Sequence, residues 1–179
     1  MQCQGQYTRN DIMLIIYTGD GKGKTTSAIG VALRSLVLNK KVLLIQFMKP
    51  DKEKSILFLE SAFSNLKVIN FGLGQFIKKG DAPKELINIC KYGFETLKKS
   101  YKDHDLIIAD ELFSALYFDL VDKKDVLDFV EKISKEVDVI LTGRKASKEF
   151  IDLADIVTEM KKLKHHYEKG ILAKSGIDF

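Results

Sequence analysis

Ile12-Met13-Leu14-Ile15-Ile16-Tyr17-Thr18-Gly19-Asp20-Gly21-Lys22-Gly23-Lys24-Thr25-Thr26 is the stretch around which the chain is organised. An unbroken apolar run over 12–17 reads as a strand covered on both faces, as in a parallel sheet. A glycine-rich turn follows, and a helix begins near Lys24. Glycines let the backbone bend tightly around a phosphate with its N–H groups pointing inward. The helix adds its own unpaired N–H groups and the positive end of its dipole. Lys24 supplies a point charge for outer phosphates, and Thr25 a hydroxyl for a magnesium ion. This is a phosphate-binding P-loop with one departure: the general pattern opens on Gly, and Thr18 stands there. The bland reading is a glycine-rich turn that binds nothing. It does not explain why strand, loop, Lys, Thr and helix occur together in the order the motif requires.

At 179 residues the chain is long enough for one domain with a substantial core. We expect an N-terminal arm over 1–11 and one domain over 12–179. The formal charge of +4 suits a polyphosphate ligand but does not indicate nucleic acid. Cys3 and Cys90 lack any zinc or redox spacing, which fits a reducing cytoplasm. Neither a membrane-length apolar run nor a signal peptide is legible.

Outward from the loop, strands and helices alternate. Helices are expected over Lys24–Leu38, Lys52–Phe63, Pro83 to about Lys102, Val121–Ser134 and Lys148–Leu153. Strands are expected over Lys41–Phe47, Leu66–Asn70, from Asp105 up to Asp110-Glu111, Val137–Leu141 and Ile156–Met160. Such alternation gives an α/β fold: a doubly wound, mostly parallel sheet of the P-loop NTPase type, with ligands at the carboxyl ends of its strands. Asp110-Glu111 and Thr142–Arg144 fall at that edge beside the P-loop. An acidic residue there can hold the metal directly or through water. The loop from Phe71 to Pro83 keeps Gly72, Gly74 and Gly80 together with Phe71, Leu73, Phe76 and Ile77. It either covers a ligand or packs back onto the sheet.

Tyr17 through Thr26 resembles the opening of the bacterial ATP:corrinoid adenosyltransferases with a P-loop fold. So do Gln46-Phe47-Met48-Lys49, Asp110-Glu111-Leu112, Leu141-Thr142-Gly143-Arg144 and the run from Leu153 to Met160. The tail from Lys164 to Phe179 is similar to that family's closing segment. The likeness runs in order from residue 12 to the end, and the family's Thr at the first loop position matches Thr18.

The resemblance implies a cytoplasmic homodimer that moves the 5′-deoxyadenosyl group of ATP onto the Co(I) of a reduced corrinoid and releases tripolyphosphate. It implies Mg²⁺ or Mn²⁺ as cofactor, and an electron-donating reductase or flavoprotein as partner, with no nucleic acid or membrane. Lys24, Lys22 and Glu111 would serve catalysis. Thr18, Gly19, Asp20, Gly21, Lys22, Gly23, Lys24, Thr25, Thr26 and Arg144 would bind ATP, with a plain surface charge as the alternative for Arg144. Thr25, Asp110 and Glu111 would hold the metal. Gln75, Phe76 and Ile77 would face the corrinoid, where better-known members carry a Phe and a Trp two residues apart. This chain has no Trp, so Phe76 is the remaining aromatic. His165 and His166 are read as part of a structural or substrate-closing tail rather than as metal ligands. The P-loop halves alone also allow a kinase of a small metabolite, or a non-catalytic module that binds ATP and corrinoid.

Overall fold

The computed structural model describes residues 12–177; the arm expected over 1–11, with Cys3, lies outside them. Six strands form one sheet in which every neighbouring pair is parallel. They are β1 (Leu14–Thr18), β2 (Val42–Phe47), β3 (Leu66–Phe71), β4 (Leu106–Asp110), β5 (Asp138–Thr142) and β6 (Ile156–Glu159). The helices are α1 (Lys24–Leu36), α2 (Lys54–Ala62), α3 (Lys84–Ser100), α4 (Leu112–Tyr117), α5 (Lys123–Ile133) and α6 (Lys148–Leu153). The expected α/β alternation is therefore present.

The strand order is β3-β2-β4-β5-β1-β6. From β1 the chain crosses over two strand positions through α1 to reach β2. It later returns to fill those positions with β4 and β5. The P-loop strand and the acidic strand thus stand one strand apart, with β5 between them.

Parallel strands need cover on both faces, and the core divides accordingly. α1 lays Ala28, Ala32 and Leu36 against Val42, Leu44, Leu106, Ile108 and Ile140. On the opposite face, Leu43, Ile45, Phe47, Ile107, Val139 and Leu141 meet Leu86, Cys90, Phe94, Phe129 and Phe150 from α3, α5 and α6. All six residues of β2 are buried, as its unbroken apolar run requires.

Boundaries differ from the sequence reading in small ways with local causes. α1 stops at Leu36, and Asn39 takes φ 60° with its N–H on the Leu36 carbonyl. Pro83 sits at the N-cap of α3 with ψ 143°, one place before the helix. Leu112–Tyr117, for which the sequence reading gave no element, is a short helix that begins one residue after β4.

Candidate functional site

The carboxyl ends of β1, β4 and β5 converge on the P-loop. Gly21 N–H donates to the Met160 carbonyl at 2.6 Å, and Met160 N–H to the Thr18 carbonyl at 2.8 Å. The loop is therefore fastened to the end of β6. Thr18, the departure from the general pattern, makes a bond that glycine could not: its hydroxyl accepts from the Ala146 N–H at 3.1 Å. That bond ties the entry of the loop to the segment after β5. Gly23 takes φ 116° just before α1 and leaves the first N–H groups of the helix without a side-chain cap. Such an end is suited to an anion.

Lys24 is almost buried, and its ammonium donates to the carbonyls of Gly19 and Gly21, both at 2.8 Å. Burial draws its pKa below the usual lysine value, against the opposing pull of Glu111. The ammonium is thus held inside its own loop, where a phosphate would lie.

Asp110 is fully buried at the end of β4 and saturated with donors. One oxygen accepts from Thr25 Oγ1 at 2.8 Å and from Thr142 Oγ1 at 2.6 Å. The other accepts from Gln46 Nε2 at 3.0 Å and pairs with Lys49 Nζ at 3.3 Å. Thr142, on the strand between β1 and β4, also accepts from the Glu111 N–H at 3.0 Å. Glu111 stands in the left-handed region at φ 57°, and its carboxylate accepts from the Ser114 hydroxyl. Burial works against the charge on Lys49, but Asp110 and Glu53 outweigh it and raise its pKa.

A small, hard cation fits these donors. The hydroxyl of Thr25 and the carboxylate of Asp110, in contact with each other, would be its oxygen ligands in place of hydrogen bonds they now make, with Glu111 adjacent. Among the described residues, no three His, Cys, Asp or Glu side chains form a metal cluster. Such an ion would draw its other ligands from phosphate and water, as Mg²⁺ ordinarily does.

These groups open into a cleft of about 530 Å³ lined by Asp20–Thr26, Lys49, Glu53, Glu111 and Arg144. Arg144 reaches Asp20 at 3.8 Å, with both side chains largely exposed. His165 and Ile177 of the tail also line the cleft, and the His165 ring stacks on that of His166. A second cleft of about 570 Å³ lies beyond the wall formed by Glu111–Ser114 and Gly143–Ser147. Its lining includes Phe113, Leu116, Tyr117, Val121 and Phe150, four lysines (Lys79, Lys91, Lys123 and Lys145) and two aspartates, Asp119 and Asp122. Lys145 and Lys79 sit 3.9 Å and 4.8 Å from the Tyr117 ring centre.

The loop after β3 divides. Leu73 and Ile77 pack on the core, whereas Phe76 is fully exposed. Gln75, Phe76 and Ile77 line neither cleft, although Lys79 of the same loop lines the second. Sequence reasoning gave no site role to Lys49, Glu53, Gln46 or Ser114. The signal available was position: Gln46 lies near the end of a fully buried strand, and Lys49 two residues beyond it, at the same sheet edge.

The family model described as ATP:corrinoid adenosyltransferase BtuR/CobO/CobP matches residues 10–179. A Salmonella typhimurium protein named corrinoid adenosyltransferase CobA is 30% identical over 172 residues, 93% of this chain and 85% of the relative. An Escherichia coli K12 corrinoid adenosyltransferase is 29% identical with the same coverage. One from Pseudomonas aeruginosa is 29% identical over 174 residues, 93% of this chain and 83% of its own length.

Proposed function

This chain belongs to the ATP:corrinoid adenosyltransferase family, and from that premise we propose that it transfers the 5′-deoxyadenosyl group of ATP to the Co(I) of a reduced corrinoid, releasing tripolyphosphate. The family match over residues 10–179 carries the choice over phosphoryl transfer. The two reactions differ in what the protein must supply: a kinase needs a carboxylate placed to orient an acceptor hydroxyl, whereas attack by Co(I) on the 5′ carbon needs none. The Co–C bond forms, the C5′–O bond breaks, and its electron pair leaves on the triphosphate without any proton transfer.

The chain then contributes alignment and charge. Holding the 5′ carbon in line with cobalt can supply about 7–11 kcal/mol of the barrier. Lys24, Lys22, Arg144 and the loop amides from Gly19 to Thr25 meet the charge growing on the leaving triphosphate. A Mg²⁺ or Mn²⁺ ion beside Thr25, Asp110 and Glu111 would neutralise part of it. The second cleft, which combines Phe113, Leu116, Tyr117, Val121 and Phe150 with four lysines and two aspartates, suits a corrinoid body with polar side arms. Phe76, with Gln75 and Ile77 beside it, would then meet the corrinoid face from the neighbouring loop.

Residues 12–179 would act as one unit with an arm before it, working in the cytoplasm with a reductase or flavoprotein that supplies Co(I). No described helix is long and apolar enough to cross a membrane. A homodimer is supported by apolar side chains exposed on β6 and the tail, among them Ile156, Val157 and Leu172. Sedimentation at dimer mass tests it, and a monomer would refute it.

The experiment is to mix the chain with ATP, Mg²⁺ and chemically reduced cobalamin and to follow the corrinoid absorption spectrum. The wild type should form the alkylcobalt product, and Lys24→Ala should lose about 10²–10³-fold in rate. Full activity of that variant would overturn the site. Phe76→Ala should lose more when the assay starts from Co(II) and reductant than from Co(I). Equal losses would remove Phe76 from the corrinoid face.

A further inference from the structure

We propose that Lys49 is the resident counter-ion of the acidic floor of the phosphate cleft, and that it closes this floor to free divalent cations, so that metal enters only together with the triphosphate. The proposal rests on the reading of Thr18–Thr26 and Asp110 as a nucleotide site.

Lys49 follows β2 directly, after Met48 has turned the chain at φ 62°. Its ammonium lies 3.3 Å from Asp110 Oδ2 and 3.1 Å from Glu53 Oε1, so it bridges two carboxylates of different origin. Asp110 has four acceptor positions and four partners: Thr25, Thr142, Gln46 and Lys49. Gln46 and Thr142 are fully buried parts of the sheet and cannot withdraw. Lys49 is different. It is a long side chain, 24% exposed, on the lining of the cleft. It is also the one charge among the four. A free dication approaching Asp110 meets an ammonium at contact distance, and that repulsion is strong away from bulk water. A triphosphate changes the balance, because it offers the ammonium new anionic oxygens. Lys49 can then turn from Asp110 to phosphate, which removes the like charge from the carboxylate as the metal approaches it beside Thr25. The cation is handed over and the floor is never bare.

The test is equilibrium dialysis of the full chain against Mn²⁺, with and without the non-reacting ATP analogue adenosine 5′-(β,γ-imido)triphosphate on both sides of the membrane, reading the excess Mn²⁺ on the protein side so that the complex of Mn²⁺ with free analogue cancels. Wild type should take up Mn²⁺ only with the analogue. Lys49→Met should bind Mn²⁺ without nucleotide at least about tenfold tighter than wild type, since it removes a like charge from contact range. Lys49→Arg, which keeps the charge, should behave as wild type. Equal uptake by wild type with and without the analogue overturns the proposal on its own, whether or not Lys49→Met folds. Lys49→Met binding no better than wild type also overturns it. Failure of wild type to take up Mn²⁺ even with the analogue overturns the nucleotide-site reading and this proposal together. None of these outcomes depends on corrinoid chemistry, so a failure of adenosyl transfer is told apart from a failure here.

Discussion

Single residues at the site act through what they are paired with. Lys24 caps its own loop carbonyls, and Asp110 gathers donors from α1, β2, β5 and the segment after β2. The sequence made Lys24 and Thr25 legible because the motif fixes their spacing, and Asp110 because an acidic pair ends an apolar strand at the same sheet edge. It hid Lys49, because a lysine after a strand reads as a solvated charge until the neighbouring strand is known. Thr18 was legible as a departure, but its cause was not, since Ala146 is 128 positions away. Cys90 illustrates a residue whose chemistry the fold suppresses. Burial raises its thiol pKa to about 11, partly offset by the Met48 backbone. Because the folded value lies above the unfolded one, the stability it contributes is complete below about pH 9 and is lost as pH rises through about 11. With Cys3 replaced by Ser, iodoacetamide should modify the native chain at pH 8 far more slowly than the urea-unfolded chain. Equal rates in both states would contradict this burial.

At the scale of elements, the strand–loop–helix unit is held from outside as well as within. Gly19 stands at φ 102°, and a Cβ there would lie 2.5 Å from the Met160 carbonyl oxygen. Gly19→Ala therefore strains the backbone and pushes the loop off β6. We expect a loss of about 2 kcal/mol or more in urea unfolding, together with loss of ATP binding. An unchanged midpoint and slope would mean that β6 does not brace the loop. The inner strands β2 and β4 were legible because burial on both faces leaves continuous apolar runs, whereas β6 is exposed throughout. The loop after β3 was legible only in part. Its apolar content was plain, but sequence could not say that Leu73 and Ile77 turn inward while Phe76 turns out. Side-chain direction in a loop has no period to read.

The whole molecule sets two clefts at one edge of the sheet, divided by a wall in which Gly143 closes on Phe113 and Ser114. One cleft collects amides and cations around a buried carboxylate, and the other sets aromatic and aliphatic side chains beside lysines and the aspartates Asp119 and Asp122. On the proposed two-substrate transfer, the reacting atoms would meet where these two clefts approach each other. The division was not visible in the sequence, because it arises from contacts between segments after β4 and β5. Adenosyl transfer and phosphoryl transfer differ in which bond of ATP breaks. Phosphorus NMR of the reaction with ATP, Mg²⁺ and Co(I) corrinoid reads this directly. Adenosyl transfer predicts tripolyphosphate in amounts equal to the Co–C bond formed. ADP with a phosphorylated acceptor, or intact ATP beside unaltered corrinoid, would contradict it.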